Sequence, residues 1–408
     1  METLSEKEIS SYILSGTVQD NPQENACSKI SVVVCLYYME TLDQYIGYLK
    51  RIPSEIRIEL YSSQKELLEK AESKLSLHGR KNCGFHWKEN RGRDISTLLV
   101  AAKDIVWNSD YICFLHDKSA NEDYLKPDTG KWIENLWENM VSGETYIYNI
   151  ISLFEENKDL GILFPPEPIG DYLFHWYGDT WLANYENTKK LAEELGLSVN
   201  ISREKMPVGM GTVFWAKSQA LKRLFSREWK YEDFSQEPLP IDGTLNHAVE
   251  RILAIVAEDA GFKSGTVMTV EYAEWLLNVS QDYARTMFLQ LAKREHLFNM
   301  HQIKNLDRRE AELKEYIAGH KKNYIYGAGN YGRALYEFLY DRKMELYGFV
   351  VTSLEGGEKK EKGLPVMEIG KLNPKDDIGI IIGVSYERRT EVEENLEELG
   401  FGDYIYGY

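Results

Sequence analysis

This chain predicts an α/β protein: a doubly wound sheet domain, a helical connector and a small βαβ domain at the C-terminus. Three observations carry that prediction. Apolar runs of strand length alternate with amphipathic helices through the first third of the sequence. Charged amphipathic helices fill 268–321. A glycine-rich strand–turn–helix, "NYIYGAGNYGRALYEFLY", opens the last segment. The boundaries that follow are an N-terminal extension over 1–28, the sheet domain over 29–267, the connector over 268–321 and the last domain over 322–408.

"KISVVVCLYY" is a continuous apolar run of strand length, and the helical spacing of "METLDQYIGYLKRI" behind it makes Ile30 to Ile52 strand then helix. "EIRIELYSS" alternates and ends in turn residues, which predicts a second strand. A helix over Gln64 to Leu77 and a short strand, "GFHWKEN", come next. Ile95, Leu98, Leu99, Ala102, Ile105 and Val106 then repeat at helical spacing before the strand "YICFLH". Such alternation implies a parallel sheet with ligands at the carboxyl ends of its strands. Between Asp117 and Lys205 the pattern loosens around the strand "LGILFPPEP" and the aromatic stretch "FHWYGDTWLANY". "MPVGMGTVFWAK" reads as a strand and "IDGTLNHAVERILAIVAEDAG" as a helix. After the glycine loop, "LYGFVV" and "IGIIIGV" are strands separated by the charged loop "EGGEKKEKG".

Composition excludes several classes. A hydrophobic content of 43% over 408 residues supports well-buried cores. The formal net charge of −17 argues against nucleic acid as a partner, because phosphate contacts demand a basic surface. Cys27, Cys35, Cys83 and Cys113 show no C-x-x-C spacing and no paired histidines, so they read as buried thiols in a reducing compartment. The acidic start and the lack of a long apolar run predict a soluble, cytoplasmic protein.

Four constellations could carry chemistry. Arg91 and Arg93 flank Gly92, with Asn90 before them and Asp94 at the helix entrance. Glycine lets the backbone approach a ligand, while helix-terminal N–H groups and two guanidiniums suit a diphosphate. Asp94 is equally a helix N-cap. His116, Asp117 and Lys118 end an apolar strand where a parallel sheet presents ligands, or simply begin a turn. In the helix after Asp242, Leu245, Ala248, Val249, Ile252, Leu253 and Val256 share one side, with His247, Glu250 and Arg251 opposite. That charged trio is either a solvated surface or a site lining. Gly209 and Gly211 mark a close approach to a sugar or a β-bulge, and His175, Trp176 and Tyr177 form a platform or a core cluster.

"ENRGRDISTLL", "FLHDKSA", "PVGMGTVFWAKSQALKRLF" and "IDGTLNHAVERI", in this order, resemble the rhamnan synthesis protein F family of bacterial polysaccharide glycosyltransferases, over roughly Ile30 to Gly261. The resemblance implies a GT-A-like mixed-sheet domain. It also implies transfer of rhamnose or another hexose from a dTDP- or UDP-linked donor to a growing cell-surface glycan or lipid-linked acceptor, at the inner face of the membrane. On that reading Asn90, Arg91, Gly92, Arg93, Asp94, His116, Asp117, Lys118 and Arg251 surround the donor, and His175, Trp176 and Trp215 meet the acceptor. Asp242 is the first candidate for the base of an inverting transfer, Glu250 the second, and His247 joins them at the reacting face. Asp117 stands where such folds hold Mg or Mn, but as a single carboxylate in place of two; Lys118 or an arginine could instead neutralise the leaving diphosphate.

Gly327, Gly329 and Gly332 have the strand and helix context of a dinucleotide fingerprint and make a second candidate nucleotide site in a Rossmann-like domain. Thr352 and Ser353 stand where an acidic residue would hold ribose hydroxyls, and no Tyr-x-x-x-Lys pair follows. NAD is therefore not expected in the main activity. An NAD-dependent nucleotide-sugar epimerase or reductase and a non-catalytic assembly scaffold are the alternatives.

Overall fold

The computed structural model describes residues 10–17, 29–118, 126–167, 181–205, 207, 209, 211–240, 242–296, 305–354 and 359–407. The chain divides into two compact units, 1–280 and 281–408.

The sheet of the first unit contains β1 (Ser10–Leu14), β2 (Ile30–Cys35), β3 (Arg57–Ser62), β4 (Cys83–Trp87), β5 (Tyr111–His116), β6 (Leu160–Phe164), β7 (Phe214–Lys217) and β8 (Lys263–Thr269). Their spatial order is β1-β8-β6-β7-β5-β2-β3-β4. β7 runs antiparallel to β5 and β6, and the other pairings are parallel, so the sheet is mixed.

Alternation along the central strands explains the two layers. Val32 and Val34 of β2 and Cys113 and Leu115 of β5 join one core, beneath α1 (Leu42–Leu49), α2 (Lys65–Leu77), α5 (Lys126–Val141) and α6 (Glu144–Glu156). Val33, Ile112 and Phe114 point the other way, into the core shared with α7 (Tyr185–Leu195), α8 (Leu245–Asp259) and the helix after β4. That helix is broken: α3 (Arg93–Ser96) passes through a π turn, Thr97–Ala101, into α4 (Lys103–Asn108).

In the first unit two strands escape the sequence pattern. β1 lies in the stretch read as an extension and pairs with β8, which itself was folded into the sheet domain's end and the connector's start. The strand expected over "MPVGMGTVFWAK" is shorter, because Gly209, Gly211 and Thr212 have φ of 91°, 104° and 53° and turn the chain before β7 begins.

Beyond β8, α9 (Val270–Arg294) spans the division between the units. In the second unit α10 (Leu306–Ala318) precedes β9 (Lys322–Tyr326), α11 (Asn330–Asp341), β10 (Gly348–Val351), β11 (Lys359–Glu361), β12 (Leu364–Glu368), β13 (Ile378–Ile382), α12 (Arg389–Glu398) and β14 (Tyr404–Tyr406). These strands form a sheet in the order β11-β12-β10-β9-β13-β14, with β11 antiparallel. The charged segment expected as a loop thus contributes an edge strand.

Candidate active site

A cleft of about 590 Å³ opens at the carboxyl ends of β2, β4 and β5, with α8 as its far wall. β2 leads into Leu36, Tyr37 and Tyr38, and the β4–α3 turn supplies Lys88, Asn90, Arg93 and Asp94. His116, Asp117 and Lys118 follow β5, while α8 brings Asn246, His247 and Glu250. Trp132, Thr212 and the loop Glu237–Leu239 complete the lining. Parallel strands end at one edge, so residues far apart in sequence converge there.

The β4–α3 turn is held from within. Gly92 adopts φ 72°, and a Cβ there would stand 2.6 Å from the Phe234 ring, so this glycine serves a left-handed turn and close packing. Asn246 donates to its carbonyl oxygen at 2.8 Å. Arg91 points away from the cleft: its guanidinium donates to the carbonyl oxygens of Phe234 at 2.6 Å and Glu232 at 3.1 Å. Arg91 and Gly92 therefore shape the turn, a correction to the expectation that they touch the donor. Arg93 does line the cleft, paired with Glu237 through two bonds of 3.0 and 3.3 Å.

Asp94 makes no side-chain cap bond to its helix, whose N-cap position is Gly92. Its nearest titratable neighbour is the His116 ring, 3.7 Å away. The other three carboxylates of the cleft are engaged. One oxygen of Asp117 accepts the backbone N–H groups of Tyr37 at 2.6 Å and Tyr38 at 2.7 Å. Glu237 holds Arg93, and Glu250 accepts from the Gly211 N–H and the Thr212 hydroxyl, both at 3.0 Å, while its second oxygen pairs with Arg251. Asp94 is thus the carboxylate left open to the cleft.

Cationic groups face these acids. Lys88, buried at 4% exposure, donates to the Arg93 carbonyl oxygen at 2.9 Å, and burial lowers its pKa. The Lys118 ammonium lies 4.2 Å from the centre of the Trp132 ring, and burial lowers its pKa as well. Both ring nitrogens of His116 face carbonyl oxygens, of Gly211 at 2.5 Å and Asp117 at 2.8 Å. Burial nevertheless lowers the His116 pKa, outweighing the attraction of Asp94. His247 caps α8: the Thr244 N–H donates to its Nδ1 at 3.4 Å. The same Nδ1 meets the Thr244 hydroxyl at 2.8 Å, and burial lowers the pKa of the ring.

Several expected site residues stand elsewhere. Asp242 does not line the cleft; its oxygens accept the Ala183 N–H at 3.0 Å and the Asn184 amide at 2.6 Å. Burial opposes its ionisation, yet the Asn184 amide and the Ala183 and Gly243 N–H groups hold its pKa below the usual range. Arg251, on the polar side of α8, is only 2% exposed and pairs with Glu250 behind the lining. Trp215 is fully buried and donates to the Met140 carbonyl oxygen at 2.9 Å, which makes it a core residue and not an acceptor contact. Gly209 packs against the Phe164 ring. His175, Trp176 and Tyr177 lie outside the described residues. In the second unit Gly332 is required by packing, since its Cβ would lie 1.8 Å from the Gly327 carbonyl oxygen, and Gly329 precedes α11. Thr352 is bonded to the Tyr326 hydroxyl at 2.8 Å.

Sequence reasoning missed Lys88, Tyr37, Tyr38, Trp132, Glu237 and Asn246. Lys88 directly follows β4 and was within reach of the rule that strand ends face the ligand. Glu237 carries no local signal, because only the fold brings it to Arg93.

Among the described residues no group of three His, Cys, Asp or Glu side chains is placed to hold a metal ion. Asp117 has one oxygen committed to two N–H donors and Asp94 faces His116; a divalent cation here would draw on these two carboxylates at most and take its other oxygens from a diphosphate and water.

Among known proteins, the family model for rhamnan synthesis protein F matches residues 1–262. Proteins described as uncharacterised protein WxcX, from two strains of Xanthomonas campestris pv. campestris, are 24% identical over 242 residues. The match covers 58% of this chain and 32% of theirs, so the chain spans about a third of the relatives' length. Two solved structures share 10% identity. One is the mannosyltransferase PcManGT from Pyrobaculum calidifontis in complex with GDP-Man and Mn2+, with a TM-score of 0.31 covering 62% of this chain and 60% of that one. The other is the glycosyltransferase GlyE of Streptococcus pneumoniae TIGR4, with a TM-score of 0.27 covering 93% and 90%. Likenesses at that level carry no argument. The family match is of another order, spanning more than half of the sequence and every residue of the cleft: the chain belongs to the rhamnan synthesis protein F family.

Proposed function

We propose that the first unit is a glycosyltransferase of GT-A-like design that moves a hexose, rhamnose in the first instance, from a dTDP- or UDP-linked donor to a growing cell-surface polysaccharide. The observation that carries this reading is the cleft's division of labour: Lys88, Arg93 and Lys118 gather at the strand ends beside Asp94, a carboxylate without a hydrogen bond among the described residues. Cations and N–H donors suit a diphosphate, and an open carboxylate suits a proton acceptor.

In the proposed step an acceptor hydroxyl attacks the anomeric carbon. Asp94 takes its proton, the bond from that carbon to the diphosphate oxygen breaks, and the diphosphate leaves with the electron pair. Lys118 and Arg93 meet the charge it acquires. Configuration at the anomeric carbon inverts. Glu250 fixes Gly211 and Thr212 on the opposite wall, which makes it a positioning residue. No step is routed through a metal. The acceptor belongs to the membrane surface if it is lipid-linked, and no described helix is long and apolar enough to cross a membrane.

A thermal-shift screen against dTDP-, UDP- and GDP-sugars, with and without manganese, tests the reading. A ligand that binds the folded state raises the melting temperature by mass action, about 2.7 kcal/mol at a hundred times Kd. A rise with dTDP- or UDP-sugars is expected, and a flat response to all three nucleotides refutes the assignment.

A further inference from the structure

Three cations and four carboxylates line the cleft: Lys88, Arg93 and Lys118 against Asp94, Asp117, Glu237 and Glu250. A dianionic diphosphate entering that space is opposed by like charge unless one carboxylate withdraws. Two of the four are fixed. One Asp117 oxygen holds the N–H groups of Tyr37 and Tyr38, and Glu250 holds Gly211, Thr212 and Arg251. Asp94 belongs to the first turn of α3, so Glu237 alone comes from a loop. That loop is pinned at both ends. At its start Phe234, 1% exposed, packs against Gly92 and stacks on Trp229, and its carbonyl oxygen accepts the Arg91 guanidinium. At its far end Asp242 is held by Ala183 and Asn184. Between these anchors Ser235, Gln236, Pro238 and Pro240 are exposed, and no backbone–backbone hydrogen bond joins 235–240 to another described residue. Few contacts therefore oppose a shift of this stretch.

Arg93 is the opposite case. Its φ of 46° lies in the left-handed region that a side chain disfavours, and its carbonyl oxygen accepts the Lys88 ammonium at 2.9 Å and the Ser96 hydroxyl at 3.0 Å. The guanidinium is thus presented from a fixed turn, and Glu237 meets it through two bonds of 3.0 and 3.3 Å. The Leu239 N–H donates to the same carboxylate at 3.1 Å. Burial opposes the ionisation of Glu237, yet this fork and that N–H hold its pKa below the usual range. A guanidinium offers one fork to carboxylates and phosphates alike, so Glu237 fills the place that two diphosphate oxygens would take.

From this arrangement we infer that Glu237 is a built-in counter-ion: it holds Arg93 while the cleft is empty, yields it to the donor's diphosphate, and takes it back as the nucleoside diphosphate leaves. The inference rests on the glycosyltransferase reading and deepens it by naming how the site releases its product. Arg93 is the residue that meets the diphosphate. Glu237 acts through Arg93 and is a positioning residue: it competes with the bound nucleotide, which lowers affinity and speeds release, a step that limits turnover in many enzymes.

The test titrates the full chain with UDP and with dTDP, manganese present throughout, for wild type, Glu237→Gln, Arg93→Gln and the double variant. Glu237→Gln keeps the size of the side chain and an acceptor for the Leu239 N–H while removing the charge, so the loop folds as before. Glu228→Gln, at an exposed carboxylate outside the cleft lining, controls for the change in net charge and should match wild type. Glu237→Gln should bind the nucleotide about fivefold more tightly, the scale of a half-exposed ion pair, with the gain in a slower dissociation rate measured by stopped flow. In the Arg93→Gln background Lys88 and Lys118 keep binding measurable, and the effect of Glu237→Gln should vanish because the two residues act as one pair. A gain that persists without Arg93, or that lies wholly in the association rate, is long-range repulsion and overturns the exchange. Unchanged or weaker binding by Glu237→Gln overturns it too. If wild type binds a nucleotide and the cycle shows no coupling, this inference alone falls. If neither wild type nor Glu237→Gln binds either nucleotide, the transferase reading falls with it.

Discussion

Asp117 sits where two effects oppose each other. Burial pushes its carboxyl up to about 7 from an ordinary 3.8, although the N–H groups of Tyr38 and Tyr37 pull the other way. A carboxyl whose folded pKa exceeds its unfolded one contributes its full share of stability below the unfolded pKa and loses it as pH rises through the folded value. At 1.36 kcal/mol per unit that loss is at most about 4 kcal/mol, spread between pH 4 and 7. Asp117→Asn keeps an acceptor oxygen for both N–H groups and cannot ionise, so calorimetry should find its melting temperature flatter than wild type between pH 5 and 8. Nucleoside diphosphate binding should weaken in wild type as pH rises through 7, when Asp117 gains its negative charge beside the ligand, and the variant should lose that trend. Asp94 makes a different prediction, because the role proposed for it is in proton transfer and not in folding. Asp94→Asn should lower kcat by about 10² to 10⁴ while the nucleotide-induced melting shift persists, and near-normal turnover would remove it as the base.

The β4–α3 turn shows which parts of an element a sequence reveals. "ENRGRD" announced a glycine between arginines at a helix entrance, and the helix, the turn and the strand after it all exist where apolar spacing put them. The pattern could not tell that Arg91 and Arg93 diverge, because the partners that separate them, Phe234 and Glu237, belong to a loop more than a hundred residues later. In the same way, helical spacing on α8 separated the apolar face from His247, Glu250 and Arg251, but tertiary packing buried Arg251 behind Glu250. Strands with continuous apolar runs were legible; β1, β8, β11, β12 and β14 were not, being short, polar at one face or interrupted by glycine or proline. Gly92 turns this into a stability prediction. A methyl group there meets Phe234 and Ser96 at under 3 Å, at a φ that disfavours any Cβ. Gly92→Ala should therefore cost about 2 to 4 kcal/mol and weaken nucleotide binding together with stability, measured by denaturant unfolding and titration.

Across the whole molecule, the family match and the folded unit do not end together. The match stops at residue 262, one residue before β8 begins. β8 lies between β1 and β6 in the sheet, with Val267 fully buried and Met268 nearly so. A chain cut at 262 would leave β1 without a neighbour and β6 with an open edge, both presenting unpaired N–H and C=O groups and apolar side chains to water. A chain cut at 280 keeps the first compact unit whole. The 1–280 fragment should be soluble, melt cooperatively and bind nucleotide sugar with the affinity of the full chain, since every residue that lines the cleft lies within it. The 1–262 fragment should aggregate or bind a hydrophobic dye without near-ultraviolet circular dichroism. If both fragments melt alike, β8 is dispensable and the sheet closes without it; if neither folds, the first unit depends on contacts beyond residue 280.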